Sequence, residues 1–176
     1  LKSLYMSYLN NPVPGMYISP SHQLATKTII ITLKELCNRA GIDYTYNQQR
    51  SEFIFHNWNG KLWLGSGDKP DSLRGPNIGW AVIDEPFIQK REVFEQMIAR
   101  VRHPDAKKSQ IYLTGTPEQL NWGFNLANDT NLDIGIIQAS TLDNPHLPDD
   151  YKQSLLQAYS EEQIEAYVYG KFVNLT

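Results

Sequence analysis

Cysteine is almost missing from this 176-residue sequence, where Cys37 stands alone. A single thiol excludes an internal disulfide and suits a reducing compartment. Long apolar runs are missing as well. The longest, Thr28-Ile29-Ile30-Ile31-Thr32-Leu33, falls far short of the roughly 18 residues a membrane-spanning helix needs, so no membrane partner is expected. The N-terminus has neither the apolar core nor the small-residue cleavage site of a signal peptide. His22, His56, His103 and His146 are scattered, which excludes zinc-type ligand spacing. Positive charge is not in excess either. A net charge of -3 argues against a free-standing nucleic-acid binder, though not against a grip that is local or housed in another domain. Repeats and low-complexity segments are absent. What remains, 41% apolar and 20% charged residues, is the balance of a soluble globular chain about one domain long.

The apolar pattern predicts an α/β chain. Leu1, Leu4, Tyr5, Tyr8 and Leu9 repeat at helical spacing, and Asn10-Asn11-Pro12 ends that helix. Met16-Tyr17-Ile18 reads as a buried strand. A helix is predicted from Gln23 to Ala40, with Leu24, Ile31, Leu33, Leu36 and Cys37 available to its buried side and Gly41 at the C-cap. Phe53 to Leu64 reads as a hairpin turning at Asn59-Gly60, a dipeptide suited to a type I′ turn. After a polar loop, Trp80-Ala81-Val82-Ile83 is a strand and Phe87 to Arg102 a helix opened by Pro86. Ile111-Tyr112-Leu113 and Ile134 to Ala139 are strand-like. Two helices follow, one from Pro148 to Tyr159 and one opened by the capping box Ser160-Glu161-Glu162-Gln163. Short apolar strands alternating with helices indicate a mostly parallel sheet covered on both faces.

In such sheets ligands collect at the carboxyl ends of the strands. Asp84-Glu85 emerges at one such end. In a nucleotide hydrolase the first carboxylate holds Mg²⁺ and the second orients or deprotonates the attacking water. Alone, the pattern also describes an ordinary acidic turn. A second strand end, Thr114-Gly115-Thr116-Pro117, follows after an amphipathic helix, and its hydroxyls suit sensing a terminal phosphate. Arg74, in the loop before the acidic strand, is either a solvated side chain or a guanidinium for a transferring phosphoryl group. Lys90, Arg91, Arg100, Arg102, Lys107 and Lys108 form a basic group that reads first as a solvated helix face and second as a DNA-facing patch. The four tryptophans read as packing residues.

The run Asp71-Ser72-Leu73-Arg74-Gly75-Pro76-Asn77-Ile78-Gly79-Trp80-Ala81-Val82-Ile83-Asp84-Glu85-Pro86 resembles the Walker B region of tailed-phage large terminase subunits. Ile111 to Glu118 is similar to their coupling motif, and Asn121-Trp122 follows it as it does there. Ser140 to Pro148 and Tyr169-Gly170-Lys171-Phe172-Val173 resemble later family signatures, so the likeness runs from Met16 to Val173. The resemblance implies an ASCE-type, RecA-like P-loop NTPase core and ATP-driven packaging of double-stranded DNA into procapsids. The implied partners are a portal protein, a small terminase subunit and copies of itself in a ring, in the host bacterial cytoplasm. It also implies Asp84 as the Mg²⁺-site carboxylate and Glu85 as the catalytic glutamate. Thr114, Gly115 and Thr116 become the coupling motif, and Arg74 an arginine acting on a neighbouring subunit's ATP. Gln119 departs from the family, where glycine is frequent.

A Walker A loop, Gly-x-x-x-x-Gly-Lys-Ser/Thr, is missing: Gly60-Lys61 and Gly170-Lys171 precede Leu62 and Phe172. The acidic cluster of the family's nuclease is also missing. The expectation is that residues 1–176 are one partial ATPase domain without its first strand and P-loop, an internal fragment or truncated product. Two alternatives stand beside it: a fragment of a helicase-like translocase, and a non-catalytic prophage remnant or assembly module.

Overall fold

The computed structural model of the chain describes residues 1–175, which divide into two compact units, Leu1–Thr114 and the residues from Gly115 onward. The first unit opens with helix α1 (Lys2–Asn10) and strand β1 (Gly15–Ser19). Helices α2 (His22–Lys27) and α3 (Ile29–Ala40) come next, then strands β2 (Tyr44–Asn47), β3 (Glu52–Phe55) and β4 (Gly60–Ser66). Strand β5 (Trp80–Asp84), helix α4 (Arg91–Arg100) and strand β6 (Gln110–Thr114) complete it. The strands form one six-stranded sheet in the order β2-β3-β4-β1-β5-β6. Strand β1 lies at its centre, parallel to β4 and β5, and β6 is parallel to β5, while β2-β3-β4 is an antiparallel meander.

Alternation along β1 and β5 builds two cores, one on each face. Tyr17, Trp80 and Val82 join Leu4, Met6, Ile30, Leu33, Cys37, Phe53, Phe55 and Leu62. Met16, Ile18, Ala81 and Ile83 point the other way, to Leu73, Ile78, Val93 and Met97. Residues buried on both faces explain why these strands show no polar alternation in sequence. Gly15 is required by this packing. Its Cβ would lie 1.9 Å from the indole of Trp80, its partner on β5.

Several local expectations need correction. The helix predicted over Gln23 to Ala40 breaks at Thr28, whose hydroxyl donates to the Leu24 carbonyl and whose backbone leaves helical geometry. The break re-phases the buried side: Ala25, Ile30, Leu33 and Cys37 face inward, whereas Leu24 and Ile31 are exposed. The hairpin forms, but Phe55 pairs with Gly60, so its loop is His56-Asn57-Trp58-Asn59 rather than a two-residue turn at Asn59-Gly60. Trp58 fills that loop, stacking on Phe55 and donating to the Ser7 hydroxyl at 2.8 Å. Pro86 starts a short 3₁₀ turn, Pro86–Ile88, and α4 begins only at Arg91. Gly41 caps α3 in the left-handed conformation, as expected.

The second unit is helical and irregular. Helix α5 (Trp122–Ala127) is capped by the Asn121 side chain, which accepts from the Gly123 amide at 3.0 Å. Helix α6 (Asp149–Ala158) precedes α7 (Glu161–Gln163), whose Ser160–Gln163 capping box forms as predicted and which runs into a π-helical turn, Ile164–Val168. The hydroxyls of Ser140 and Thr141 donate to the Val168 and Tyr167 carbonyls, both at 3.0 Å. The strand expected over Ile134 to Ala139 is absent: the segment is exposed, Ile137 at 96%, with no sheet neighbour. Apolar β-branched residues make a strand only where another strand offers its hydrogen bonds.

Candidate functional site

Asp84 ends β5 and Thr114 ends β6, paired side by side in the parallel register. The Thr114 hydroxyl donates to Asp84 Oδ1 at 3.2 Å. Beyond the last pair, the Thr114 carbonyl accepts the Glu85 amide at 2.7 Å, and Gln89 Nε2 donates to the Asp84 carbonyl at 2.6 Å. The Asp84-Glu85 peptide is therefore clamped from both sides. Both carboxylate residues are half-buried.

Glu85 has φ 44° and ψ 54°, the left-handed region. An L-residue with a Cβ pays about 1–2 kcal/mol there, and a following proline disfavours helical geometry further. Such strain persists where surrounding contacts impose it, and it concentrates at functional sites. Glu85→Gly should relieve it. The variant is expected to be as stable as the parent or up to about 1 kcal/mol more stable in thermal or denaturant unfolding. A clear loss of stability would mean that the conformation is relaxed and the side chain structural.

From the other side of β5, Tyr17 on β1 pairs with Val82 and so shares the face of the sheet that carries Asp84. Burial and the neighbouring carboxylates of Asp84 and Glu85 push the phenol up from its ordinary value. Ser19, two residues further on the same face of β1, is fully buried, and its Oγ has no hydrogen-bond partner among the described residues. The site thus presents carboxylate and hydroxyl oxygens, hard donors of the kind Mg²⁺ prefers. No group of three or more His, Cys, Asp or Glu side chains suited to a metal occurs among the described residues. A single carboxylate with hydroxyl support fits an ion that keeps most of its water and shares phosphate oxygens.

Of the residues predicted from sequence, Asp84, Glu85 and Thr114 are brought together. Gly115 and Thr116 open the second unit, where the Thr116 carbonyl accepts the Glu118 amide at 3.0 Å. Arg74 follows the 3₁₀ turn Pro70–Leu73, anchored by Leu73 in the core on the α4 face. Its guanidinium is 60% exposed and pairs with Asp71 at 3.1 Å and Glu92 at 3.8 Å, contacts too exposed to hold it firmly. Sequence reasoning did not find Tyr17 or Gln89. Tyr17 gives no local signal, because its role depends on strand order.

A mixed, mostly parallel sheet with a carboxylate pair at one strand end and a hydroxyl at the next is consistent with a P-loop NTPase-like core. The chain belongs to the large terminase family: the family described as terminase large subunit, T4likevirus-type, N-terminal, matches residues 4–176. No curated protein sequence matches it. Its fold is similar to that of the large terminase of a thermophilic bacteriophage in complex with ADP, with a TM-score of 0.84 at 14% identity over 98% of this chain and 43% of that one. The same phage's terminase in complex with ATP-gamma-S gives 0.79 at 17% identity, over 96% and 42%. The large terminase ATPase domain of Thermus phage P74-26 gives 0.63 at 16% identity, over 92% of this chain and 77% of that domain. The chain therefore spans less than half the length of the two nucleotide-bound terminase chains it matches. No helix among the described residues is long and apolar enough to cross a membrane.

Proposed function

We propose that this chain is part of the ATP-hydrolysing motor that packages double-stranded DNA into procapsids, and that Asp84 and Glu85 carry its chemistry. The observation that supports this most is the Asp84 carboxylate, which accepts from the Thr114 hydroxyl at the carboxyl end of two parallel strands, beside a strained glutamate. Asp84 would hold Mg²⁺, which supplies charge neutralisation on the terminal phosphates. Glu85 would orient the attacking water and accept its proton. Its left-handed backbone carries the chain away from the strand axis immediately after Asp84. Thr114 would report the state of the site to Gly115 and Thr116 through the chain itself. The structures of the thermophilic phage's terminase with ADP and ATP-gamma-S support nucleotide as the ligand class.

A portal protein, a small terminase subunit and further copies in a ring are the partners this reading calls for, in the host cytoplasm. The reading is tested by Asp84→Ala in the full large terminase subunit that carries this chain. ATP-gamma-S binding in Mg²⁺ is expected to weaken about tenfold or more, while binding in EDTA stays unchanged. Equal binding by both proteins in Mg²⁺ would remove Asp84 from the metal site.

A further inference from the structure

Asp84 is flanked by two strands, and the neighbour on the side away from Thr114 is β1. Tyr17 pairs with Val82, and Val82 pairs with Tyr112, so these three side chains share one face of the sheet. Asp84 and Thr114, two residues further along their strands, share that face too. A tyrosine two positions short of the carboxylate, on the adjacent strand, is long enough to reach it diagonally. Tyr17 is only 8% exposed and belongs to the core cluster that includes Leu33, Trp80 and Val82. The donor is therefore fixed before any ligand arrives. Thr114, by contrast, is exposed and ends an edge strand, so it is the looser of the two supports.

We infer that Tyr17 is a positioning residue for the Asp84 carboxylate, donating its hydroxyl from β1 opposite the Thr114 hydroxyl from β6, and so fixing the orientation in which Asp84 meets a divalent cation. This rests on the reading of Asp84 as the metal-site carboxylate. A carboxylate restrained from two sides loses less freedom on binding and keeps its remaining lone pairs aimed at the ion. The unpartnered Ser19 hydroxyl lies one step along β1 from Ile18, the partner of Ile83, which brings it level with Asp84. A further oxygen is thus available on the same wall.

The experiment uses the full large terminase subunit that carries this chain, saturated with ATP-gamma-S and titrated with Mn²⁺ as a paramagnetic probe of the cation site. Wild type, Tyr17→Phe and Asp84→Ala are compared, with metal-free nucleotide affinity and thermal midpoint measured for each. Tyr17→Phe keeps the ring and its packing. It is expected to lower Mn²⁺ affinity about tenfold, the size of a hydrogen bond to a charged group, with nucleotide affinity in EDTA unchanged. Unchanged Mn²⁺ affinity in Tyr17→Phe, alongside a weakened Asp84→Ala, would overturn the inference and leave the metal-site reading intact. A lowered thermal midpoint with unchanged Mn²⁺ affinity would likewise make Tyr17 a packing residue only. Unchanged Mn²⁺ affinity in Asp84→Ala would remove the metal-site reading, and the inference with it.

Discussion

Glu85→Gln is expected to reduce ATP turnover by the large terminase subunit by about 10²–10⁴-fold while leaving nucleotide binding largely unchanged. The substitution keeps the length and the hydrogen-bonding shape of the side chain but removes the base. It also keeps the Cβ, so the left-handed strain at position 85 is the same in both proteins and cannot account for the difference. Single-turnover measurements with bound ATP would separate the chemical step from product release. Near-normal turnover in Glu85→Gln would move the base elsewhere. A gain in stability in Glu85→Gly with none in Glu85→Gln would add that this residue is retained for chemistry against its local conformational preference.

Arg74→Ala should have the second large effect, and only in an assembled ring. The guanidinium is solvent-exposed and tied only to Asp71 and Glu92, so within one chain its loss should change stability little. Its backbone, in contrast, is anchored through Leu73, which is 1% exposed. A fixed base and an exposed tip, held only by solvent-accessible ion pairs, suit an arginine that reaches a neighbour's nucleotide. ATPase activity is then expected to rise on assembly, and Arg74→Ala to remove that rise, by about a thousandfold if it acts as an arginine finger. Arg74→Ala and Glu85→Gln subunits, each inactive alone, should regain partial activity when mixed. Mixed rings that assemble without recovery would place Arg74 in cis or make it a solvated side chain.

The parts of this molecule legible in sequence are those where one strand carries its own signal. Trp80-Ala81-Val82-Ile83 is apolar on both faces and then abruptly acidic, so strand, burial and strand end can all be read from adjacent residues. Ile111 to Thr114 is legible as a strand and a strand end, but the burial expected of it is not found: β6 lies at the border of the sheet and its residues are at most half-buried. Strand β2 was illegible because Tyr44-Thr45-Tyr46-Asn47 alternates aromatic and polar residues without an apolar run, and exists through its pairing with β3. The break at Thr28 is decided by a side-chain hydrogen bond that competes with helix geometry. Within the site, Asp84 and Glu85 stand out by type and position. The Tyr17 and Gln89 contacts do not, since one comes from across the sheet and the other from the turn after it. The left-handed backbone of Glu85 has no residue signature at all; glycine or asparagine would have announced it.

Strand β6 closes one border of the sheet, pairing with β5 alone among the described residues. Its sequence, Gln110-Ile111-Tyr112-Leu113-Thr114, has no charge, proline or bulge to discourage another strand from docking. Natural sheets guard such borders with lysine, proline or a covering element, because open amide and carbonyl groups template edge-to-edge pairing. In the first unit taken by itself, this border would accept a strand from another molecule and join two sheets into a continuous one. Gln110 is exposed at the end of β6 away from Asp84, and a lysine there would guard that border at the cost of the hydrogen bond that Gln110 accepts from Tyr112.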